Sequence, residues 1–235
     1  MISSRQNLYE TTAVYNDRIY VVKKKTTPHT FAKGMFSIGA ISISLDRPFV
    51  WSSGINAPLY CDHRLIISNV ELRTLVVEAM LSTVKELYND IEAIAGVSTG
   101  GVPYATWLAG DFDLPLLYVR PKAKSHGKMN FIEGSLEEGQ KVLVVEDVLT
   151  TGGSAIKTSE IIREAGGVVV GVISIFDYQF KVLGENMDSA GLKYSCLYDF
   201  FDLIQLARDE KKLAGNDIDQ LEKYIESPYQ YYLDK

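Results

Sequence analysis

The chain has 235 residues, of which 46% are hydrophobic and 23% charged, and its formal net charge at pH 7 is −6. This length suits one large domain, and the composition is that of an ordinary globular protein. The negative charge disfavours a general nucleic-acid binder. No apolar run approaches the ~18 residues of a membrane helix, and the N-terminus lacks the apolar core of a secretory signal. We therefore expect a cytoplasmic protein without a membrane partner.

The N-terminal part divides at a change of composition. Residues 1–27 are polar and are predicted to be an extension of unknown role, with one short strand at residues 19–22, while residues 28–235 are predicted to form a single domain. Residues 28–40 have helical apolar spacing. Strand-forming residues broken by glycine and proline in residues 49–64 predict a hairpin or a strand–loop–strand.

Further along the chain, helices and strands alternate. A helix is predicted over residues 69–88, with Ser68 and Glu71 as a capping box. Strands are then predicted at 92–97, 114–120, 141–146 and 168–176, and helices at 101–110 and 153–166. Regular alternation with apolar strands indicates an α/β fold with an open, mostly parallel sheet flanked by helices. Ligands of such sheets bind at the carboxyl ends of the strands.

The most informative segment is VLVVEDVLTTGGS, residues 142–154. Glu146 and Asp147 follow a buried strand, and the small residues Thr150 to Ser154 lead into a helix. Backbone N–H groups at a helix N-terminus favour an anion such as a phosphate monoester. The carboxylates can accept hydrogen bonds from sugar hydroxyls or face a cation. Together these groups predict a ribose 5-phosphate site; the alternative is a strand-to-helix turn with a solvated acidic pair.

Two other strand ends carry groups that suit phosphate chemistry. Residues 120–128, RPKAKSHGK, form a cationic loop that can stabilise a leaving pyrophosphate and exclude water, although basic loops are often only solvated surface. Residues 96–103, GVSTGGVP, form a small-residue turn whose N–H groups can approach an anion. Asp62 and Arg64 are expected to be a surface ion pair of little energetic consequence.

Residues 142–154 resemble the phosphoribosyl pyrophosphate (PRPP) signature of type I phosphoribosyltransferases. The resemblance implies that Glu146 and Asp147 bind the ribose hydroxyls and that the following residues enclose the 5-phosphate. It implies a small hood formed by N-terminal and other segments. The residues that it assigns to PRPP are Arg120, Lys122, Lys124, His126, Glu146, Asp147, Val148, Leu149, Thr150, Thr151, Gly152, Gly153 and Ser154.

The basic loop and residues 49–64 are similar to those of the orotate phosphoribosyltransferases specifically. This resemblance implies transfer of the 5-phosphoribosyl group from PRPP to orotate, with Mg²⁺ as cofactor. It implies catalytic roles for Lys124, His126 and Asp147, and a homodimer in which the loop with Lys124 and His126 reaches the neighbouring subunit's site. The orotate contacts that it implies are Tyr60, Cys61, Thr150 and Tyr178.

Two alternatives stay open at the level of sequence. The chain can be a type I phosphoribosyltransferase for a purine or uracil, or a non-catalytic regulator that binds PRPP with the same fold. The segment Tyr60–Cys61–Asp62 and the basic loop favour the orotate enzymes, because a regulator needs the sugar site but not the cationic loop.

Overall fold

The computed structural model describes residues 13–15, 18–20, 27–51, 54–120 and 131–231, with side chains from Thr30 onward. The strands are β1 Ala13–Tyr15, β2 Arg18–Tyr20, β3 Ile41–Ile43, β4 Phe49–Val50, β5 Asn56–Ala57, β6 Leu59–Cys61, β7 Ala93–Val97, β8 Leu116–Val119, β9 Ile132–Glu133, β10 Lys141–Leu149, β11 Val168–Asp177 and β12 Tyr194–Asp199. The helices are α1 Thr27–Ser37, α2 Val70–Leu87, α3 Gly101–Phe112, α4 Gly153–Glu164, α5 Lys181–Ser189, α6 Phe200–Asp209 and α7 Gly215–Glu226, and a 3-10 helix covers His63–Ser68.

A six-stranded sheet in the order β12-β11-β10-β7-β8-β9 forms the centre of the fold. All neighbours run parallel except the edge strand β9, which is antiparallel to β8. Successive side chains of a strand point to opposite faces, so Val142 and Val144 of β10 join one hydrophobic core while Leu143 and Val145 join the other. Burial on both faces explains the continuous apolar runs. The predicted α/β fold with a mostly parallel sheet is confirmed.

Short elements near the carboxyl edge of this sheet pack against one of its faces, and we call them the hood. It consists of two antiparallel strand pairs, β3 with β6 and β4 with β5, followed by the 3-10 helix. The β4–β5 pair confirms the hairpin predicted within residues 49–64, and the 3-10 helix contacts β10. The hood is thus held next to the segment that carries the predicted sugar site.

Several predicted boundaries differ from the structure. The helix α2 is capped by Asn69, whose side chain accepts a hydrogen bond from Leu72 N (3.0 Å), so the predicted Ser68 capping box is wrong. Ser68 is the last residue of the 3-10 helix, which delays the start of α2. The strand β10 runs three residues beyond its predicted end, because β11 pairs with it as far as Leu149. Glu146 and Asp147 therefore lie within the strand.

Among the described residues of the N-terminal extension, β1 and β2 pair in antiparallel fashion, and the sequence predicted only the second of these strands. Whether residues 1–27 and 28–235 form the predicted division stays a prediction. In the ranges described above, no helix combines the length and the apolar character needed to cross a bilayer.

Candidate active site

The acidic pair lies at the carboxyl end of β10, with Glu146 buried and Asp147 partly buried. Glu146 is only 6% exposed, and its Oε1 accepts a hydrogen bond from Asp147 N at 3.1 Å. Burial raises the pKa of Glu146 well above its usual value, and the neighbouring Asp147 charge adds to the shift. Burial likewise raises the pKa of Asp147. Two adjacent carboxylates in such surroundings favour partners that bring hydroxyl donors or positive charge.

The small-residue turn between β7 and α3 packs directly on this pair. A Cβ at Gly100 would overlap the Asp147 carboxyl group, and one at Gly101 would overlap the Val145 carbonyl oxygen. At Gly101 the obstacle is backbone, which leaves no room for a side chain, whereas at Gly100 a side chain would have to displace the Asp147 carboxyl group. The structure brings the turn and the acidic pair together because β7 and β10 are parallel neighbours in the sheet.

The phosphate loop, which we define as Thr150–Ser154, connects β10 to α4. Gly152 takes a left-handed conformation (φ 78°), and α4 begins at Gly153. No side chain caps the first N–H groups of this helix. A Cβ at Gly153 would meet nothing closer than Thr151 Oγ1 at 3.9 Å, which leaves room for a ligand. Ser154 is exposed at this end. The geometry suits a phosphate at the helix N-terminus.

Asn186 of α5 supports this loop and was not found by sequence reasoning. Its Nδ2 donates to the Thr151 carbonyl oxygen at 2.8 Å, across 35 residues of chain. No local pattern marks this contact. Leu149, a predicted PRPP contact, has a buried side chain, and its carbonyl oxygen accepts a hydrogen bond from Tyr178 N. Val148 is partly buried.

Most of the predicted catalytic loop lies outside the described residues. Lys122, Lys124 and His126 are in that part of the chain. Its first residue, Arg120, follows β8 and its N–H donates to the Phe131 carbonyl oxygen at 2.8 Å. Arg120 Nη1 forms an ion pair with Glu133 Oε1 at 3.3 Å. The two ends of the loop are thus joined at the edge of the sheet.

The hood presents Tyr60 and Arg64 on one side. Tyr60 is 36% exposed and its ring centroid lies 5.7 Å from that of Phe49. Arg64 pairs with Asp62 through two hydrogen bonds of 2.7 and 2.8 Å, and its Nη2 also donates to Tyr60 OH at 3.4 Å. The predicted ion pair is confirmed, but its setting was missed: the Arg64 charge lowers the pKa of Asp147, against the larger effect of burial.

Cys61 and Tyr178, both predicted to contact the base, face the interior. The Cys61 side chain is 8% exposed, and burial raises the pKa of its thiol to about 12. Tyr178 is 2% exposed, and its hydroxyl accepts a hydrogen bond from Cys61 N at 3.2 Å. The Cys61 N–H is therefore already occupied, and direct contacts of these two residues with a base stay predictions.

The carboxylates of Glu146 and Asp147 are also candidate ligands for a metal ion. Across the described ranges, no group of three or more His, Cys, Asp or Glu side chains is arranged to hold an ion. Oxygen donors from two adjacent acids suit Mg²⁺, which usually keeps several waters and binds through substrate phosphates with one or two carboxylates. The residues present therefore fit a magnesium ion that arrives with a phosphorylated substrate, and they do not form a protein cage.

Comparison with known proteins assigns this site to a class. The phosphoribosyl transferase domain family matches residues 69–208, and the chain belongs to that family. Within it, the chain belongs with the orotate phosphoribosyltransferases. It is 38% identical over 197 residues to the "Orotate phosphoribosyltransferase" of Listeria monocytogenes, covering 84% of this chain and 94% of that protein. It is 40% identical over 190 residues to that of Staphylococcus epidermidis, covering 81% and 94%.

Solved structures agree. The orotate phosphoribosyltransferase of Aeropyrum pernix superposes with a TM-score of 0.64 at 29% identity, covering 74% of this chain and 97% of that one. The Mycobacterium tuberculosis enzyme in complex with PRPP gives 0.58 at 27% identity, covering 75% and 98%. The predicted family, fold and enzyme class are confirmed.

Proposed function

We propose that this site transfers the 5-phosphoribosyl group from PRPP to orotate, the reaction of the family to which the chain belongs. The observation that carries the proposal is the meeting of three parts at one sheet edge. The acidic pair, the glycine turn packed on Asp147 and the open phosphate loop lie side by side, with the hood next to them. A sugar that carries a 5-phosphate and a pyrophosphate matches these parts.

Each part has its own task in binding PRPP. The first N–H groups of α4 and the hydroxyls of Thr150, Thr151 and Ser154 bind the 5-phosphate. Glu146 and Asp147 accept hydrogen bonds from the ribose hydroxyls, which compensates the carboxylates for lost hydration. The turn at Gly100 offers N–H groups to the pyrophosphate.

The reaction is a displacement at C1 of the ribose. The bond from C1 to the pyrophosphate oxygen breaks and the pyrophosphate leaves with the electron pair, while a ring nitrogen of orotate bonds to C1 and loses its proton to water or to the departing pyrophosphate. Positive charge develops on the sugar and negative charge on the leaving oxygens. Arg120, Lys122, Lys124 and His126 stabilise those oxygens, and Asp147 lies beside the ribose where the positive charge develops. No residue needs to act as a nucleophile.

Magnesium enters this proposal as a partner of PRPP. When bound, Mg²⁺ neutralises phosphate charge and helps pyrophosphate to leave. Glu146 and Asp147 are the described residues that can approach it, directly or through water. Burial raises the pKa of both groups, so a dication near them stabilises the ionised pair.

A turnover assay tests the function. With PRPP and Mg²⁺, orotate is expected to yield pyrophosphate and orotidine 5-monophosphate, while adenine, hypoxanthine and uracil do not replace orotate. Turnover with one of those bases and not with orotate would establish one of the alternative transferases. Binding of PRPP without turnover of any base would establish the regulator.

We also propose a homodimer in which Lys124 and His126 act in the neighbouring subunit's site. Lys124→Ala is expected to lower turnover by orders of magnitude while the unfolding temperature stays unchanged. Mixing Lys124→Ala protein with Asp147→Asn protein then forms hybrid dimers with one intact site. Recovery of activity on mixing supports sharing, and its absence in verified hybrids contradicts it.

A cytoplasmic location stays a prediction from the sequence.

A further inference from the structure

Three buried tyrosines of the central sheet and its helices form hydrogen bonds to one short segment of the hood. Their hydroxyls form hydrogen bonds to Cys61 or His63, which follow the exposed Tyr60. The tyrosines lie on three different elements: α3, the residue after β11, and β12. We call this set the tyrosine clamp, and its members are Tyr104, Tyr178 and Tyr198.

Tyr178 connects the two halves of the site. Its backbone N–H donates to the Leu149 carbonyl oxygen at 3.0 Å, at the end of the strand that carries the acidic pair. Its hydroxyl accepts the Cys61 N–H at 3.2 Å. A single rigid side chain, packed against Trp51 at 4.6 Å between ring centroids, thus sets the distance between β10 and the hood strand β6.

The Cys61 N–H needs this partner because of the register of β6. Ser44 N donates to Pro58 O and Asp62 N donates to Ala40 O, so even-numbered residues of this segment exchange hydrogen bonds with the neighbouring strand. In an antiparallel pair, alternate residues turn their N–H groups to the opposite edge. Cys61 is such a residue, and a buried N–H without an acceptor is unfavourable.

The other two tyrosines fix the next turn of chain. Tyr104 OH donates to the His63 carbonyl oxygen at 2.8 Å, and Tyr198 OH forms a hydrogen bond with His63 Nε2 at 2.7 Å. The His63 ring is fully buried and stacks on Phe176, with centroids 5.6 Å apart. Backbone and side chain of the same residue are therefore fixed from two directions.

We propose that the tyrosine clamp positions the base-facing wall of the site, with Tyr178 acting through the Cys61 N–H and not by touching the base. This inference rests on the proposed function. Side chains of β6 alternate, so Cys61 points toward the clamp while Tyr60, 36% exposed, lies on the front with Arg64. The clamp carries no group to the substrate; it sets where Tyr60 and Arg64 stand relative to the ribose site.

Tyr178→Phe tests the clamp because it removes one hydroxyl and keeps the ring. Small misplacements of a reacting partner are costly, so kcat/KM for orotate at saturating PRPP is expected to fall about tenfold or more. The dissociation constant of PRPP, measured by calorimetry without a base, is expected to stay within about twofold, since the phosphate loop and the acidic pair are untouched. Tyr104→Phe, which removes one donor to the His63 carbonyl, is expected to change the same parameter to a smaller extent.

Tyr88→Phe is the matched control. Its hydroxyl is also sequestered, donating to Val172 O at 2.8 Å and lying 2.8 Å from Ser195 Oγ, away from the hood. It is expected to lower the unfolding temperature as Tyr178→Phe does, but to leave kcat/KM for orotate unchanged.

Equal losses of kcat/KM in the Tyr88 and Tyr178 variants would overturn the clamp, because both would then reflect general destabilisation. Unchanged orotate parameters in folded Tyr178→Phe protein would overturn it as well. If the Tyr178 variant does not fold, the Tyr104 variant decides by the same comparison. Failure of the unmodified protein to use orotate would instead overturn the proposed function, so the two failures are distinguishable.

Discussion

The sugar-phosphate side and the base side of this site are built in different ways. The first consists largely of consecutive residues, from Glu146 to Ser154, as one strand passes through a tight loop into one helix. The second is a short strand and a 3-10 helix held by hydrogen bonds between residues 117 and 135 positions apart. The sugar-phosphate side is therefore set by local geometry on the central sheet, whereas the base side depends on distant packing.

Because of this difference, we expect the binding of PRPP and the use of the base to depend on separate parts of the molecule. Changes at the end of β10 are expected to alter PRPP binding first, and changes behind the hood are expected to alter the use of the base. The acidic pair is the part of the sugar-phosphate side whose replacement is expected to have the largest effect.

Glu146→Gln is expected to lower the rate of transfer by about a hundredfold or more, because a preorganised hydrogen-bond acceptor for the ribose hydroxyls is lost. The same change should stabilise the free protein at neutral pH. The folded pKa of Glu146 is raised, so its contribution to stability is present below the unfolded pKa, about 4.3, and is lost as pH rises toward the folded value.

Thermal unfolding at pH 7.5 and pH 4 checks this prediction. The variant is expected to unfold at a higher temperature than the parent at pH 7.5, with a smaller gain at pH 4. Glu160→Gln, at an exposed site on α4, serves as the control. A variant less stable than the parent at pH 7.5 would contradict the account of the buried pair.

Gly100→Ala tests the contact between the turn and the acidic pair. The added Cβ must displace the Asp147 carboxyl group, and a shift of this size is expected to lower kcat/KM for PRPP by about a hundredfold. Gly110→Ala, in the same helix region, has open space around the new Cβ and is expected to keep full activity. Similar rates for both variants would show that the turn is not tied to Asp147.

Asn186→Ala removes the side chain that holds the Thr151 carbonyl. We expect the KM for PRPP to rise several-fold, about what the loss of one hydrogen bond of ~1 kcal/mol gives, while the KM for orotate changes little. Ser189→Ala is the control on the same helix, because its hydroxyl bonds only its own turn at Glu185 O (2.7 Å). A larger effect on orotate than on PRPP would break the separation between the two sides.

Arg64→Gln probes a charge that links the two sides. Arg64 belongs to the hood but lowers the pKa of Asp147, so its removal should raise that pKa further. The acid limb of PRPP binding is then expected to move to higher pH, by a small amount because the guanidinium is exposed. Arg208→Gln, whose guanidinium pairs with Glu222 at 2.7 Å on the C-terminal helices, is the control. An unmoved acid limb would show that the two sides are electrically independent.

The sugar-phosphate side could be predicted from sequence because its groups are neighbours in the chain. Glu146, Asp147 and the glycines that follow define a strand, a turn and a helix start by local rules alone. The end of the strand was misplaced because pairing with β11, a non-local partner, extends it to Leu149. The cap of α2 at Asn69 was missed for a similar reason, since the preceding 3-10 helix occupies Ser68.

The base side could be predicted only in part. Resemblance pointed to Tyr60, Cys61 and Tyr178, but no spacing in the sequence says that the Tyr178 hydroxyl accepts the Cys61 N–H. Asn186 and Arg64 were missed as parts of the site because their importance comes from what lies beside them in space. Such pairings are set by tertiary packing, which a single sequence does not display.

The reactivity of the buried Cys61 thiol can be used to measure opening of the hood. A thiol with a pKa of about 12 reacts only when it is exposed to solvent, because the thiolate is the reactive form. Its rate of alkylation therefore measures how often β6 lifts away from the central domain. In a Cys196→Ser background, that rate reads out hood opening with no substrate turnover and no spectroscopic label.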